Sequence, residues 1–222
     1  MIVALRNIAG LAVFALTCAV ATAQPFNYLT QTRLVATFAQ GEDGGYEEDD
    51  ASAPNFGPFN VTLTMIADST TSVASQNSTL GPSSITASGY VQATLGVLED
   101  PAGAFAESSL NVKFQLMSPQ LVNLTGQIFH SGPADPVRFS LIGQNTGTVL
   151  NSGPISNSTF PLGFAGMLPA DTYTIMASSS YEFYELPGAH VGYAFELSVV
   201  PEPASALLLA AGAFVVGRRR RR

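Results

Sequence analysis

Leu110-Asn111-Val112-Lys113-Phe114-Gln115-Leu116 alternates apolar and polar side chains without a break. A period of two puts Leu110, Val112, Phe114 and Leu116 on one face of an extended chain and Asn111, Lys113 and Gln115 on the other, which predicts a strand with one buried face. The same pattern recurs in both directions. Val61, Leu63 and Met65 alternate with threonines, and Val91, Ala93, Leu95 and Val97 with Gln92 and Thr94. Val122, Leu124 and Ile128 follow, then Val137, Phe139 and Leu141, then Tyr173, Ile175 and Ala177, and finally Val191, Tyr193, Phe195, Leu197 and Val199. Turn chemistry separates these runs at Gly57-Pro58, Gly81-Pro82, Asp100-Pro101, Gly132-Pro133, Asn145-Thr146-Gly147, Gly153-Pro154 and Pro187-Gly188. The stretch Phe164 to Ile175 reads as a turn leading into a strand, with Tyr173 in the core. No segment between the two ends holds helical periodicity for three turns. Half-buried strands need a second sheet over their apolar faces, so the expected fold is an all-β, antiparallel β-sandwich of jelly-roll or immunoglobulin-like type, with roughly eight to ten strands.

The sandwich is expected to span residues 24–200, long enough for one domain with a full core. That stretch holds three bases, Arg33, Lys113 and Arg138, against fifteen acids, a formal charge of −12. So acidic a surface repels nucleic acid and anionic lipid alike, and nucleic-acid binding is excluded. Abundant Ser, Thr, Gly and Asn suggest that hydroxyls, rather than charges, cover the solvent faces of the strands.

Residues 1–23 read as a secretory signal, a helix in most such segments: a basic start ending at Arg6, an apolar run from Ile8 to Val20, and small residues at Ala21 and Ala23. Cleavage by signal peptidase is expected between Ala23 and Gln24. The single cysteine, Cys18, would leave with the signal, so neither disulfides nor a cysteine nucleophile or metal ligand is expected in the mature chain.

The other end has three parts. Pro201-Glu202-Pro203 is a stiff linker in which two backbone donors are missing. Residues 204–217 are uncharged and, as a helix, would reach about 21 Å, short of a hydrocarbon core about 30 Å thick. Arg218, Arg219, Arg220, Arg221 and Arg222 follow and would stop transfer across a membrane, each costing about 3 kcal/mol at the bilayer centre. Pro-Glu-Pro, a short apolar run and an arginine cluster at this spacing closely resemble the PEP-CTERM sorting tail of Gram-negative bacteria, also described as the ice-binding-protein C-terminal region. The resemblance covers residues 199–222. It implies that Pro201, Glu202 and Pro203 are read by an exosortase, that residues 204–217 form a short transmembrane helix, and that the protein goes to the envelope or the extracellular polymer matrix.

Candidate chemistry in the body is sparse. Six acids, Glu42, Asp43, Glu47, Glu48, Asp49 and Asp50, lie in a Gly-rich stretch that could offer oxygen ligands to Ca²⁺. The register of a calcium loop is missing, and a solvated loop is the expectation. His130, Ser131 and Asp135 contain the residue types of a hydrolase triad without a nucleophile elbow, and His190 stands apart. Glu182 and Glu185 fall on opposite faces of a strand, which argues against a paired-carboxylate glycosidase. Their neighbours Tyr181, Phe183 and Tyr184 could form a rim for a sugar ring. Asn60, Asn77, Asn123 and Asn157 head Asn-x-Ser/Thr triplets, which are frequent by chance in so Ser/Thr-rich a chain. The body is therefore expected to be a structural or adhesive sandwich with no catalytic residues, no metal and no cofactor. The alternatives are a module that binds extracellular polysaccharide and a secreted hydrolase.

Overall fold

The computed structural model describes residues 24–41, 43–94, 103–132, 136–183 and 189–201. The expected signal helix and C-terminal helix, and with them Ala21, Ala23, Glu202, Pro203 and the arginines, lie outside these residues. Twelve strands form: β1 Asn27–Gln40, β2 Tyr46–Ser52, β3 Phe59–Ala67, β4 Thr70–Leu80, β5 Ser84–Thr94, β6 Gly103–Leu116, β7 Gln120–Ser131, β8 Arg138–Gly143, β9 Gly147–Asn151, β10 Thr159–Leu168, β11 Asp171–Phe183 and β12 Ala189–Val199. Every strand pair is antiparallel.

The order is β2-β1-β6-β11-β8-β9 in one sheet and β10-β7-β12-β5-β4-β3 in the other. The pairings nest, β8 with β9, β7 with β10, β6 with β11 and β5 with β12. That is a hairpin rolled up on itself, the order of a jelly roll, and it decides against the immunoglobulin-like alternative. The chain before β5 widens the roll by two strands on each sheet, which takes the total past the eight to ten expected.

Alternation does what the sequence predicts along β6. Leu110, Val112, Phe114 and Leu116 are at most 2% exposed, and they face Ile175, Tyr173 and Phe139 from neighbouring strands and Ile85, Leu197 and Phe195 from the other sheet within one core. Side chains this fully buried each contribute about 1.5–3 kcal/mol of transfer free energy. Ring contacts tie the centre together, Phe114 lying 5.7 Å from Tyr173 and 4.9 Å from Phe26, and Phe139 lying 5.1 Å from Phe195.

Elsewhere the interior departs from expectation. Hydroxyls do line solvent faces, as at Thr62, Thr64, Ser88 and Thr125, but they are not confined there: Thr37, Thr70, Ser72, Ser78, Ser108 and Ser179 point inward and are buried. They form a polar seam under β1, β4 and β6. Thr37 and Ser72 hydroxyls lie 2.6 Å apart, and Ser72 donates to the Phe105 carbonyl at 2.5 Å. Gln76 donates through Nε2 to the Ser109 carbonyl at 3.0 Å and to the Tyr193 hydroxyl at 2.7 Å. Arg33, 1% exposed, donates to Gln31 Oε1, Ser78 Oγ and the carbonyls of Asn55 and Gly57, with the Phe59 ring 5.6 Å from its guanidinium carbon. Burial pulls its pKa down, yet an arginine starts so far above neutrality that it stays charged. Most of the seam is paired, because burying a polar group without a partner costs more than the bond returns; Gln76 Oε1, with no partner among the described residues, is the exception.

The acidic stretch is a second correction. Tyr46–Ser52 is not a loop but strand β2, on the edge of its sheet and exposed for most of its length. Glu47, Glu48, Asp49 and Asp50 pair in register with Ala39, Phe38, Thr37 and Ala36. Like charges along an unpaired edge repel a second strand, so this composition suits an edge that must stay single.

Candidate functional site

The chain leaves the fold at one pole. β12 lies between β5 and β7 in the middle of its sheet, and its last donors are still engaged: Val199 N–H to the Ser83 carbonyl at 2.9 Å and Val200 N–H to the Leu121 carbonyl at 2.8 Å. Pro201 comes next and is exposed. Its missing N–H ends the ladder there. The other end of the described chain sits at the same pole, where Phe26 N–H donates to the Pro82 carbonyl and the Tyr28 hydroxyl donates to the Gly81 carbonyl at 2.6 Å. Gln24, on the expected signal-cleavage bond, is exposed.

Two turns at this pole are clasped by Asp171, which opens β11. Its carboxylate accepts from Asn145 N–H and Nδ2, from Thr146 N–H and Oγ1, and from Thr172 N–H, all at 2.8–2.9 Å. Burial alone would push its pKa up, but these donors outweigh burial and hold the carboxyl well below its usual range. The Tyr173 hydroxyl completes the clasp by donating to the Pro169 carbonyl at 3.0 Å.

The outer face of the β12 sheet carries a shallow trough. In register, Gly192 lies between Tyr90 on β5 and Phe129 on β7, and Ala194 lies between Ser88 and Gln127. A Cβ on Gly192 would come within 2.6 Å of the Phe129 ring, so only glycine lets that ring lie across β12. Tyr90 and Phe129 have centroids 6.3 Å apart, His190 adds a third ring 6.4 Å from Phe129, and the Tyr90 hydroxyl donates to Gln92 Oε1 at 2.6 Å. Further along β12 the trough opens into a depression of about 400 Å³ lined by Asn77, Thr86, Ser88, Thr125 and Glu196.

The sequence-predicted His130 and Ser131 do not come together on one face. His130 faces inward, 5% exposed, its Nδ1 accepting the Asn157 N–H at 2.9 Å, while Ser131 is exposed on the opposite face of the strand. Asp135 lies outside the described residues. His190, one residue into β12, is exposed on the outer face directly opposite Ser131 in register, while His130 points to the other face. Tyr181 is buried at 0% exposure, so it cannot stand on a sugar-binding rim. Glu182 is exposed next to it, and Tyr184 and Glu185 lie outside the described residues. Of the four Asn-x-Ser/Thr asparagines, Asn60 and Asn77 pair with each other on β3 and β4, and Asn157, at φ +51°, accepts the Gly132 N–H. Among the described residues no group of three or more His, Cys, Asp or Glu comes together as a metal site, and no helix is long and apolar enough to cross a membrane. The trough was missed in the sequence because its walls come from three strands. Only Gly192, at an outward position of the β12 alternation, hints at it.

The chain is thus a jelly-roll sandwich whose central strand runs directly into a C-terminal segment. That segment, residues 199–222, matches the PEP-CTERM protein-sorting motif. The motif marks proteins for export to the cell envelope and makes an exosortase the processing partner. No curated protein matches the chain. Among solved structures it is similar to the enzymatically active domain of tailspike protein 4 of bacteriophage CBA120, at 10% identity and a TM-score of 0.23, covering 58% of this chain and 19% of that one. The chain therefore spans about a fifth of that protein, and a likeness this slight says nothing about function.

Proposed function

We propose that this is an exported envelope or extracellular-matrix protein in which a non-catalytic jelly roll, structural or adhesive, is delivered and held by its tail. Signal peptidase and the export machinery handle the first end; exosortase handles the second, through Pro201, Glu202 and Pro203; and residues 204–217 with Arg218 to Arg222 tether the chain at least transiently to the inner membrane. The observation that carries this reading is the absence of any spacer between β12 and Pro201. The body is placed where the tail is placed. Replacing Pro201, Glu202 and Pro203 with alanines should leave the protein in the inner-membrane fraction at an unprocessed mass, as read by cell fractionation and intact mass spectrometry. Wild-type distribution and mass in that variant would refute the reading.

The trough favours a second reading, that the body binds extracellular polysaccharide. Rings at Tyr90 and Phe129 offer apolar faces to the C–H side of a pyranose, while Asn77, Ser88, Gln92 and Glu196 supply donors and acceptors for its hydroxyls. This moves the expected site from the tyrosines near Glu182 to the face of the sheet. A glycan array probed with wild type and Tyr90→Ala tests it; retention that survives the substitution, or no retention at all, removes it.

A further inference from the structure

Of the nine large apolar side chains exposed among the described residues, Leu29, Phe56, Met117, Leu121, Met167 and Val200 lie at or next to the strand ends of the pole from which the tail departs, while Tyr46, Ile66 and Met176 lie elsewhere. Met117 begins the β6–β7 turn and is 73% exposed. Leu121 and Met167 are directly opposite in register, and the Leu121 carbonyl receives the Val200 N–H. Phe56 stacks on Tyr28 at 5.8 Å, and Leu29 is the residue bulged out of the β1–β6 ladder between Tyr28 and Thr30.

Charge has the opposite distribution. The segments that make up this pole, residues 24–26, 53–58, 81–83, 117–119, 144–146, 169–170 and 199–201, contain no Lys, Arg, Asp or Glu. Asp171 at its margin is enclosed by five donors. The far pole carries Asp43 and Asp68 in its turns and Glu47 and Glu48 at the start of β2.

We propose that the tail-bearing pole is a lipid-facing surface, and that the sandwich seats it on the bilayer that receives residues 204–217. This rests on the tail entering a membrane. Given that, three residues, Pro201, Glu202 and Pro203, separate Val200 from the apolar segment, and the four steps from Val200 to Ala204 reach at most about 14 Å. A body tethered so tightly must bring some part of itself to the headgroups. The uncharged pole is the part that can lose water cheaply, and the acidic far pole is the part that anionic headgroups repel. A second copy fits less well, because the six residues ring the exit of the tail, where the bilayer already is.

The test uses the mature full-length chain, whose sequence from residue 24 has no cysteine, in proteoliposomes of phosphatidylethanolamine and phosphatidylglycerol. Single probes are placed through Met117→Cys, Leu121→Cys and Met167→Cys, with Ile66→Cys at the far pole as reference. Flotation with the vesicles reports insertion of the tail. Quenching by nitroxide lipids reports seating, and is expected to be strong at the three pole positions and at the level of nitroxide-free vesicles at Ile66. A chain that floats but is quenched equally at all four positions overturns the lipid-facing pole and leaves the reading of the tail standing. Probes shielded from water but not quenched by lipid mean that the tail or a second copy covers the patch, which also overturns it. A chain that does not float overturns both.

Discussion

Removing a single oxygen from the polar seam, by Tyr193→Phe, should weaken the fold at neutral pH and blunt its sensitivity to alkali. Tyr193 is 1% exposed, and its hydroxyl accepts one of the two Gln76 Nε2 hydrogens at 2.7 Å, with Ser108 Oγ at 3.4 Å. Without it, one Gln76 N–H is stranded in the core beside Gln76 Oε1, which already has no partner among the described residues. Leaving a buried donor unpaired costs about 1–3 kcal/mol. The alkaline effect follows from burial, which pushes the Tyr193 phenol up to about 12, the hydrogen bonds of Ser108 and Gln76 pulling the other way. A folded pKa above the unfolded value of about 10 means that the stabilisation is complete below pH 10 and is lost as pH rises through 12. Two pH units correspond to about 2.7 kcal/mol. Urea unfolding followed by far-UV circular dichroism at intervals from pH 8 to 12 should show wild type ahead by about 1–3 kcal/mol at pH 8, with the gap closing or reversing by pH 12. Tyr28 and Tyr181, also raised by burial, are common to both proteins and drop out of the difference. A gap that stays constant across the range would refute the desolvated seam.

Asp171→Asn should lower the urea midpoint at pH 7. Because the folded carboxyl is held below its ordinary value of 3.8, its stabilisation is present above that value and lost as pH falls. The variant and wild type should therefore converge between pH 5 and the acid end of a urea series. Gly126→Ala would bring a Cβ to 2.3 Å from the Ala194 carbonyl and 2.7 Å from Phe195 Cα, both backbone atoms that cannot swing away. The expected cost is about 1–3 kcal/mol in the same assay, against near-neutrality for alanine at Gly163, which has nothing within 4 Å. Neutralising the edge strand with Glu47→Gln, Glu48→Gln, Asp49→Asn and Asp50→Asn should raise the scattering mass above that of wild type in a concentration-dependent way, as seen by light scattering. An unchanged scattering mass would mean the charges do not guard the edge.

How much of this was legible depends on what each strand buries. β6, β8, β11 and β12 announce themselves because each carries a run of inward Val, Ile, Leu, Phe or Tyr, even though Ser108 and Ser179 also point inward. β4 buries Thr70, Ser72, Ala74, Gln76 and Ser78, and β1 buries Arg33, Val35, Thr37 and Ala39. A hydroxyl reads as polar in any hydropathy pattern, but it becomes a core residue once a partner across the sheets accepts its hydrogen, as Ser72 does with the Phe105 carbonyl. β2 was hidden for the opposite reason, since an edge strand may be charged throughout. Of the turns, Asn145-Thr146-Gly147 was visible, but not its clasp by Asp171, which sits 25 residues away in sequence from Thr146. The Asp68 turn at φ +52° carries neither Gly nor Pro to signal it. The tail was read from its own residues because its chemistry is local.

The position of β12 also bears on how the tail can hold the body. On the proposed insertion of residues 204–217 into a membrane, a pull on the tail would pass through Pro201 to Val200 and then along the strand axis. β12 is flanked on both sides, paired with β5 from Ala189 to Ser198 and with β7 from His190 to Val199. Force along that axis shears both ladders at once, so many backbone hydrogen bonds share the load. The same force on an edge strand such as β3 or β10 would meet one ladder only. Val191, Tyr193, Phe195 and Leu197 add a second restraint, because sliding β12 by one residue would turn all four from the core to the solvent face. The tether is therefore joined to the fold at a strand that is costly to displace. A jelly roll supplies such a strand as its last, because the nested order seats β12 between β5 and β7.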